Sequence, residues 1–404
     1  MICPVEIDIM EVVSMRRSEF LQETRIMRFE EAFNKWDNGR ISQEEAAQLL
    51  GVCVRTFRRH INRYEENGIE GLYDKRLSQA SHRRAPVDEV FKLTELYKTN
   101  YRGFNVKHFY SFYTNNHGGS RSYTWVKNTL QRHNLVQKNP KRGRHRKQRP
   151  RAAFPGMMIH QDGSTHQWVS GNQWDLIITL DDATSEHYSM FFVNEEGTVS
   201  SFQGVFDTIK KKGLFSSIYT DRGSHYWHTP VAGGKVDKRN LTQFGRAMHQ
   251  MGIGMIAAYS PQARGRCERM FSTHQERLPK ELKLLNIKTM EAANKYLKET
   301  YMPAFNKEFC VPAREPGSAF VKWAGNELKE ILCMQYERRV SNSNCVEFEG
   351  LKLQIPADQY RCHYVKVKVK VHKYLNGELS IFHGPRKLVN YDATGKRVIV
   401  SSAA

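Results

Sequence analysis

The sequence predicts a multidomain chain: N-terminal all-α helix-turn-helix modules, a central α/β unit and a small C-terminal β-barrel. Three observations carry that expectation. Helical patterns with cap residues and glycine turns occupy the first third. From Phe154 to about Trp323, strand-like apolar stretches alternate with helical ones. Beyond about residue 335 the period becomes two: Val365, Val367, Val369 and Val371 alternate with Lys366, Lys368 and Lys370. The corresponding divisions are 1–80, 81–136, 137–153, 154–330 and 331–404. A length of 404 residues suits about two to four domains.

Residues 1–38 are weakly patterned. Ser42-Gln43-Glu44-Glu45 is a capping box, Ala46, Leu49 and Leu50 give an apolar face, and Gly51 ends the helix. After Val52-Cys53 a second helix runs to about Glu66. Phe57, Ile61 and Tyr64 face inward, leaving Arg55, Arg58, Arg59, Asn62 and Arg63 outside. That is helix-turn-helix organisation, and the basic face suits phosphates and guanine edges in a major groove. The alternative is a helical hairpin with a solvated basic face. Cys53 makes a weaker cap than serine would.

Residues 86–136 repeat the theme. A helix from Val106 to Tyr113 leads through Asn116-His117-Gly118-Gly119 to a helix from Ser122 to His133. Ser120, Arg121, Ser122, Tyr123 and Lys127 are candidate DNA contacts. Residues 137–151 then hold eight Lys/Arg and no acid. Such a run cannot bury a core. Lys141, Arg142, Arg144, Arg146, Lys147 and Arg149 are expected to follow a phosphate backbone or enter a minor groove.

In the α/β part, strands are expected at Met157–Gln161, Trp174–Asp181, His187–Val193, Phe215–Thr220 and Gly254–Tyr259. Helices are expected at Ser200–Gly213 and Leu241–Met251. Two aspartates end or follow strand-like stretches: Asp162 in IHQDGSTHQW and Asp221 in IYTDRGSHYW. Glu268 follows a Pro/Gly-containing loop and opens a helix in SPQARGRCERMF. Cys267, Phe271, His274, Leu278, Leu282 and Leu285 form an apolar stripe on that helix, and Glu268 flanks it. Two strand ends and a helix can bring carboxylates together for a divalent metal. Asp181, Asp182 and Glu186 in LDDATSEH are competing acids; Asp207 and Glu276 lack supporting context.

The three acidic segments resemble the catalytic core of DDE transposases and retroviral integrases. Most specifically they resemble bacterial insertion-sequence transposases of the ISNCY group. Pro261, Gln262, Gly265, Glu268 and Arg269 match the family's P-Q-x-x-G-x-x-E-R element. The resemblance spans nearly the whole chain and is strongest from about residue 40 to 325. It implies a ribonuclease-H-like core and a following β-barrel. It further implies that Asp162, Asp221 and Glu268 hold two Mg²⁺ or Mn²⁺ ions, with Asp162 bridging. The activity implied is 3′-end cleavage at terminal inverted repeats and strand transfer into target DNA. One departure is the 46 residues between Asp221 and Glu268, more than is usual in the family. The added length is placed in the 228–236 loop, and His225 and Trp227 just before it, or Lys235 within it, are candidates to touch DNA. Arg264 and Arg269 are candidate DNA contacts beside Glu268.

Charge agrees with a polyanion partner. The net charge is +20, and residues 1–151 contribute +12 of it, with 29 Lys/Arg against 17 Asp/Glu. No apolar run approaches the roughly 20 residues needed to span a bilayer, and no secretory pattern opens the chain. A cytoplasmic location is the expectation. The seven cysteines include no C-x-x-C pair and no zinc spacing. The lysine ridge near residue 368 suits backbone phosphates or a soluble sheet edge. Joining two element ends implies a homodimer or larger assembly. The alternatives are a catalytically silent DNA-binding regulator and a nuclease that only hydrolyses.

Overall fold

The computed structural model describes residues 17–75, 84–138, 150–231, 234–259, 261–325 and 328–398. The chain divides into two compact units, Met1–Glu95 and Leu96–Ala404.

In the first unit, α1 (Arg17–Asp37), α2 (Gln43–Leu50) and α3 (Val54–Asn67) precede a short 3-10 helix, Gly68–Leu72. The capping box forms as expected: the Ser42 side chain accepts from Glu45 N–H, and Ser42 N–H donates to the Glu45 carboxylate. Gly51 closes α2 at φ 65°, a left-handed conformation that costs a side-chain-bearing residue energy. No side chain caps α3 at Cys53. Phe57 and Ile61 pack on Phe29, Ala32, Ala46 and Ala47. Ala47 rather than Leu49 completes the α2 face; Leu49 is 63% exposed. The weakly patterned N-terminal stretch supplies α1, the third wall of this core.

Helix α4 (Val87–Asn100) precedes α5 (Val106–Asn116) and α6 (Tyr123–Arg132). Asn105 and Ser122 cap α5 and α6. The turn between them needs glycine. A Cβ on Gly119 would stand 2.1 Å from the Tyr113 ring.

The α/β part is a five-stranded mixed sheet in the order β3-β2-β1-β4-β5. Its strands are β1 (Ile159–Val169), β2 (Asn172–Asp181), β3 (His187–Val193), β4 (Ser217–Thr220) and β5 (Gly254–Ala257). β1, β2 and β3 are antiparallel neighbours, while β4 runs parallel to both β1 and β5. Helices cover both faces. α7 (Thr198–Lys212) and α8 (Gln243–Gln250) share one core with Ile159 and Ile218. α9 (Pro261–Leu284), α10 (Met290–Tyr296) and α11 (Met302–Phe309) share the other with Leu176, Ile178 and Leu180. β1 runs well past the expected Gln161, so Asp162 lies within the strand.

The C-terminal part differs from a closed barrel. β6 (Met334–Arg339), β9 (Lys368–Lys373), β10 (Leu379–His383), β11 (Arg386–Tyr391) and β12 (Arg397–Val398) form an open sheet, ordered β12-β11-β10-β9-β6. β7 (Cys345–Phe348) and β8 (Leu351–Gln354) make a separate hairpin. All share one core through Val346, Leu353, Val369, Val371, Ile381 and Tyr391. Period two holds for β9: Val369 and Val371 are buried, and Lys368 and Lys370 are exposed. Among the described residues no strand pairing joins β12 back to β6. No helix among the described residues is long and apolar enough to cross a membrane.

Candidate active site

The first two acids are brought together by strand register. β1 and β4 pair in parallel at Ile159–Ile218 and His160–Tyr219. Carried three residues past the first pair, that register sets Asp162 beside Asp221. Adjacent strands lie about 4.7–4.9 Å apart, and residues level with each other on parallel strands share a face. Alternation fixes which face. Ile159 joins the α7–α8 core, so His160, Asp162 and Ser164 point towards α9. Two bonds agree. Ser164 Oγ accepts from Gln275 of α9 at 3.0 Å, and His160 meets the Asp182 cluster described below.

Local backbone orients both carboxylates. Asp162 is 5% exposed, and its Oδ1 accepts from Gly163 N–H at 3.1 Å. Asp221 follows β4, and its Oδ1 accepts from Gly223 N–H at 2.8 Å. A Cβ on Gly223 would stand 2.9 Å from that oxygen and from His225 Cε1. The third acid is placed differently. Glu268 is exposed on α9, between Arg266 and Gln275, which both bond towards β1 or its neighbour. Cys267, Phe271, His274, Leu278 and Leu282 are buried and hold α9 down; Leu285 is exposed. Among the described residues no group of three His, Cys, Asp or Glu is placed to hold a metal ion.

Two further residues stand at this site: Glu196, which no motif singled out, and His225, expected from the sequence as a candidate DNA contact. Glu196, after β3, lies so close to Gly163 that a Cβ there would be 2.2 Å from its Oε2. His225 Nε2 is 3.4 Å from Glu196 Oε1. Buried Tyr226 registers the combined charge. Burial first, then Glu196, Asp162 and Asp221, push its hydroxyl well above the ordinary tyrosine value. Only the tertiary fold joins these groups; Glu196 is 34 residues from Asp162 along the chain.

The competing acids have structural partners. Asp181 accepts from Gly156 N–H at 2.8 Å and from Thr184 N–H at 2.8 Å. Asp182 binds His160, Arg266 and Ala152 N–H. Both are fully buried. Glu186 pairs with Lys212 at 3.0 Å. Trp227 is also a core residue: it is 6% exposed, and its indole N–H donates to Thr220 Oγ1 at 2.9 Å. Burial removes it from the candidate DNA contacts.

Arg55, Arg58, Arg59, Asn62 and Arg63 are all exposed on α3, and Arg58 Nε donates to Gln43 at 2.8 Å. Lys127 is exposed on α6. Arg121 stacks over Trp125, and Tyr123 receives Lys107 over its ring. Arg269 is exposed on α9. Lys141, Arg142, Arg144, Arg146, Lys147 and Arg149 lie outside the described residues, as does the side chain of Arg264.

Residues 30–80 match the family model of a helix-turn-helix domain. The chain is 26% identical over 359 residues to a putative transposase, y4bF, of Sinorhizobium fredii (strain NBRC 101917 / NGR234), covering 87% of this chain and 77% of the relative. It is 26% identical over 385 residues to the transposase for insertion sequence IS1202 of Streptococcus pneumoniae, covering 85% of this chain and 81% of the relative. Over most of its length this chain is similar to transposases. Among solved structures, one similar chain belongs to a simian T-cell lymphotropic virus intasome in complex with the PP2A regulatory subunit B56 gamma. The TM-score is 0.33 at 15% identity, covering 70% of this chain and 93% of that one. The HTLV-2 integrase catalytic core domain, in complex with magnesium, is 15% identical at a TM-score of 0.29, covering 36% of this chain and 87% of that one.

Proposed function

We propose that this chain is a DDE transposase that binds the terminal inverted repeats of its element, cleaves DNA at the 3′ end and transfers that strand into target DNA. Asp162, Asp221 and Glu268 are the acids of that reaction. What supports this reading is the parallel β1–β4 pairing at Ile159–Ile218 and His160–Tyr219, whose continuation brings Asp162 level with Asp221, together with Glu268 on the helix packed over the same sheet face.

The donor set is oxygen-only, which suits Mg²⁺ or Mn²⁺. Asp162 and Asp221 would hold one ion between them, and Glu268 would complete a second position once DNA is present. Bound divalent metal supplies electrostatic stabilisation to the attacking and leaving oxygens. The protein's own part is orientation. Gly163 and Gly223 N–H groups aim the two aspartates. The Gln161 amide, tied to Ser201 O at 3.0 Å and to Tyr226 at 3.3 Å, fixes β1 beneath them.

In the first step water attacks phosphorus at the element end, and the P–O bond to the element's terminal 3′-oxygen breaks, freeing a 3′-hydroxyl. That hydroxyl then attacks a target phosphorus, and the target strand's 3′-oxygen leaves. No enzyme side chain is esterified in either step. α3 reads the end through its arginine face, with the basic 137–153 segment, Arg264 and Arg269 on the phosphate backbone. Synapsis of two ends requires at least two copies of the chain.

The test is incubation with labelled duplex carrying the element end, a plasmid target and Mg²⁺ or Mn²⁺, beside Asp162→Asn and Glu268→Gln. Nicked ends and joined products, lost in both variants, are expected. Tight end binding with no metal-dependent product would instead favour a regulator, and nicking without joining a hydrolytic nuclease.

A further inference from the structure

A buried carboxylate outside the three acids touches the elements that carry two of them. Asp182 is 0% exposed, immediately after β2. Its Oδ1 accepts from His160 Nε2 at 2.7 Å and from Arg266 Nη1. Its Oδ2 accepts from Ala152 N–H at 2.7 Å. His160 lies two residues before Asp162 on β1, on the same face. Arg266 lies two residues before Glu268 on α9. One carboxylate therefore spans the strand of the first acid and the helix of the third.

We propose that Asp182 is a positioning residue for the metal-binding acids: through His160 and Arg266 it sets how α9, with Glu268, stands over Asp162. The inference rests on the transposase reading of those acids. Three features support it. Arg266 is 20% exposed at its side chain, so the charge it brings is only partly solvated, and the buried carboxylate is its partner. Desolvation would raise the Asp182 carboxyl, but the His160, Ala152 and Arg266 contacts outweigh it and hold the group well below the ordinary value. It is therefore a fixed negative charge. Nine residues along α9, Gln275 bonds Ser164, two residues beyond Asp162. The strand is thus tied to the helix on both sides of Asp162, and Glu268 sits between the two ties.

Neighbouring Asp181 supplies the comparison. It is equally buried, but its carboxylate accepts from Gly156 and Thr184, which lie on neither β1 nor α9. The experiment measures end nicking against Mn²⁺ concentration, with end binding measured separately without metal. The proteins are wild type, Asp182→Asn, Arg266→Met, the double variant, Asp181→Asn and Asp162→Asn. Loss of an outer residue that orients ligands costs about 10–100-fold in metal affinity. Asp182→Asn is expected to raise half-saturating Mn²⁺ by about that factor, with end affinity unchanged within about twofold. Arg266→Met should shift it the same way, and the double variant should be no worse than Asp182→Asn, because the two share one interaction. Asp181→Asn should lower thermal stability and leave the Mn²⁺ dependence in place. If Asp182→Asn does not fold, the part-exposed Arg266→Met decides. An unshifted Mn²⁺ dependence in Asp182→Asn and Arg266→Met, with rates falling only as the folded fraction falls, overturns the proposal while leaving the transposase reading intact. An Asp162→Asn protein that still nicks, or a wild type with no metal-dependent product, overturns both.

Discussion

Replacing His108 by alanine should loosen α5 and α6 from the α/β core. His108 is 1% exposed, and its Nε2 lies 2.6 Å from Glu281 Oε1 on α9. The Tyr296 hydroxyl donates to the other Glu281 oxygen at 2.5 Å, so the carboxylate keeps one partner when the imidazole goes. The lost hydrogen bond to a charged acceptor is worth about 1.5–3 kcal/mol. The ring also stacks on Phe104 at 4.6 Å and meets Phe112 at 5.3 Å, contacts worth about 0.5–1.5 kcal/mol beyond area burial. The expected cost is about 2–4 kcal/mol. Glu281→Gln keeps the shape and drops the charge, so the double variant should cost about 1 kcal/mol less than the sum of the singles. Urea denaturation gives the three free energies, and hydrogen exchange in α5 and α6 should accelerate in His108→Ala. A cost below about 1 kcal/mol, or strict additivity, would refute the claim that this pair anchors the module.

Three further outcomes follow from named contacts. Cys53→Ser should stabilise the first unit by about 0.5–1 kcal/mol in thermal melts, because serine supplies the side-chain cap that α3 lacks. If α3 lies against DNA, Arg59→Ala and Arg63→Ala should each lower the salt slope of end binding by about 1; unchanged slopes would place the face off the backbone. Stability should also fall as the medium is acidified from pH 6.5. Burial pushes His187 down to about 4 in the folded chain. Between 6.5 and 4 the unfolded state therefore binds the extra proton, and stability rises with pH. This one group accounts for about 3 kcal/mol across that window. Urea midpoints at pH 7 and 5 should differ less in His187→Gln than in wild type.

Much of the candidate site was legible because its pieces are local. Asp221 follows a strand, Glu268 flanks the apolar stripe of a helix, and Ser42-Glu45 with Gly51 delimit α2 in three residue types. The Pro/Gly stretch before Glu268, expected as a loop, is instead helical from Pro261, so Glu268 lies about two turns inside α9. What the sequence obscured depends on tertiary partners. α1 is weakly patterned since its buried residues, Ile26, Phe29 and Ala32, recur at threes with few neighbours to reinforce them. Trp227 reads as an exposed loop residue until Thr220 is seen to accept its N–H. Glu196 and His225 meet at Gly163 only after β1, β3 and β4 assemble. Asp182 looks like a spare ligand until His160 and Arg266 occupy it. The alternating valines and lysines specify a strand face but not whether the sheet closes, since that depends on pairing between its first and last strands.

Asp162, Asp221 and Glu268 are proposed to hold the catalytic ions. The most direct measurement is anomalous scattering from Mn²⁺ in crystals of the protein bound to its element end. Two peaks about 3.5–4 Å apart are expected, with Asp162 coordinating both and Asp221 and Glu268 one each. Well-ordered DNA in the site with manganese on other residues, or with no manganese beside Asp162 and Asp221, would contradict it.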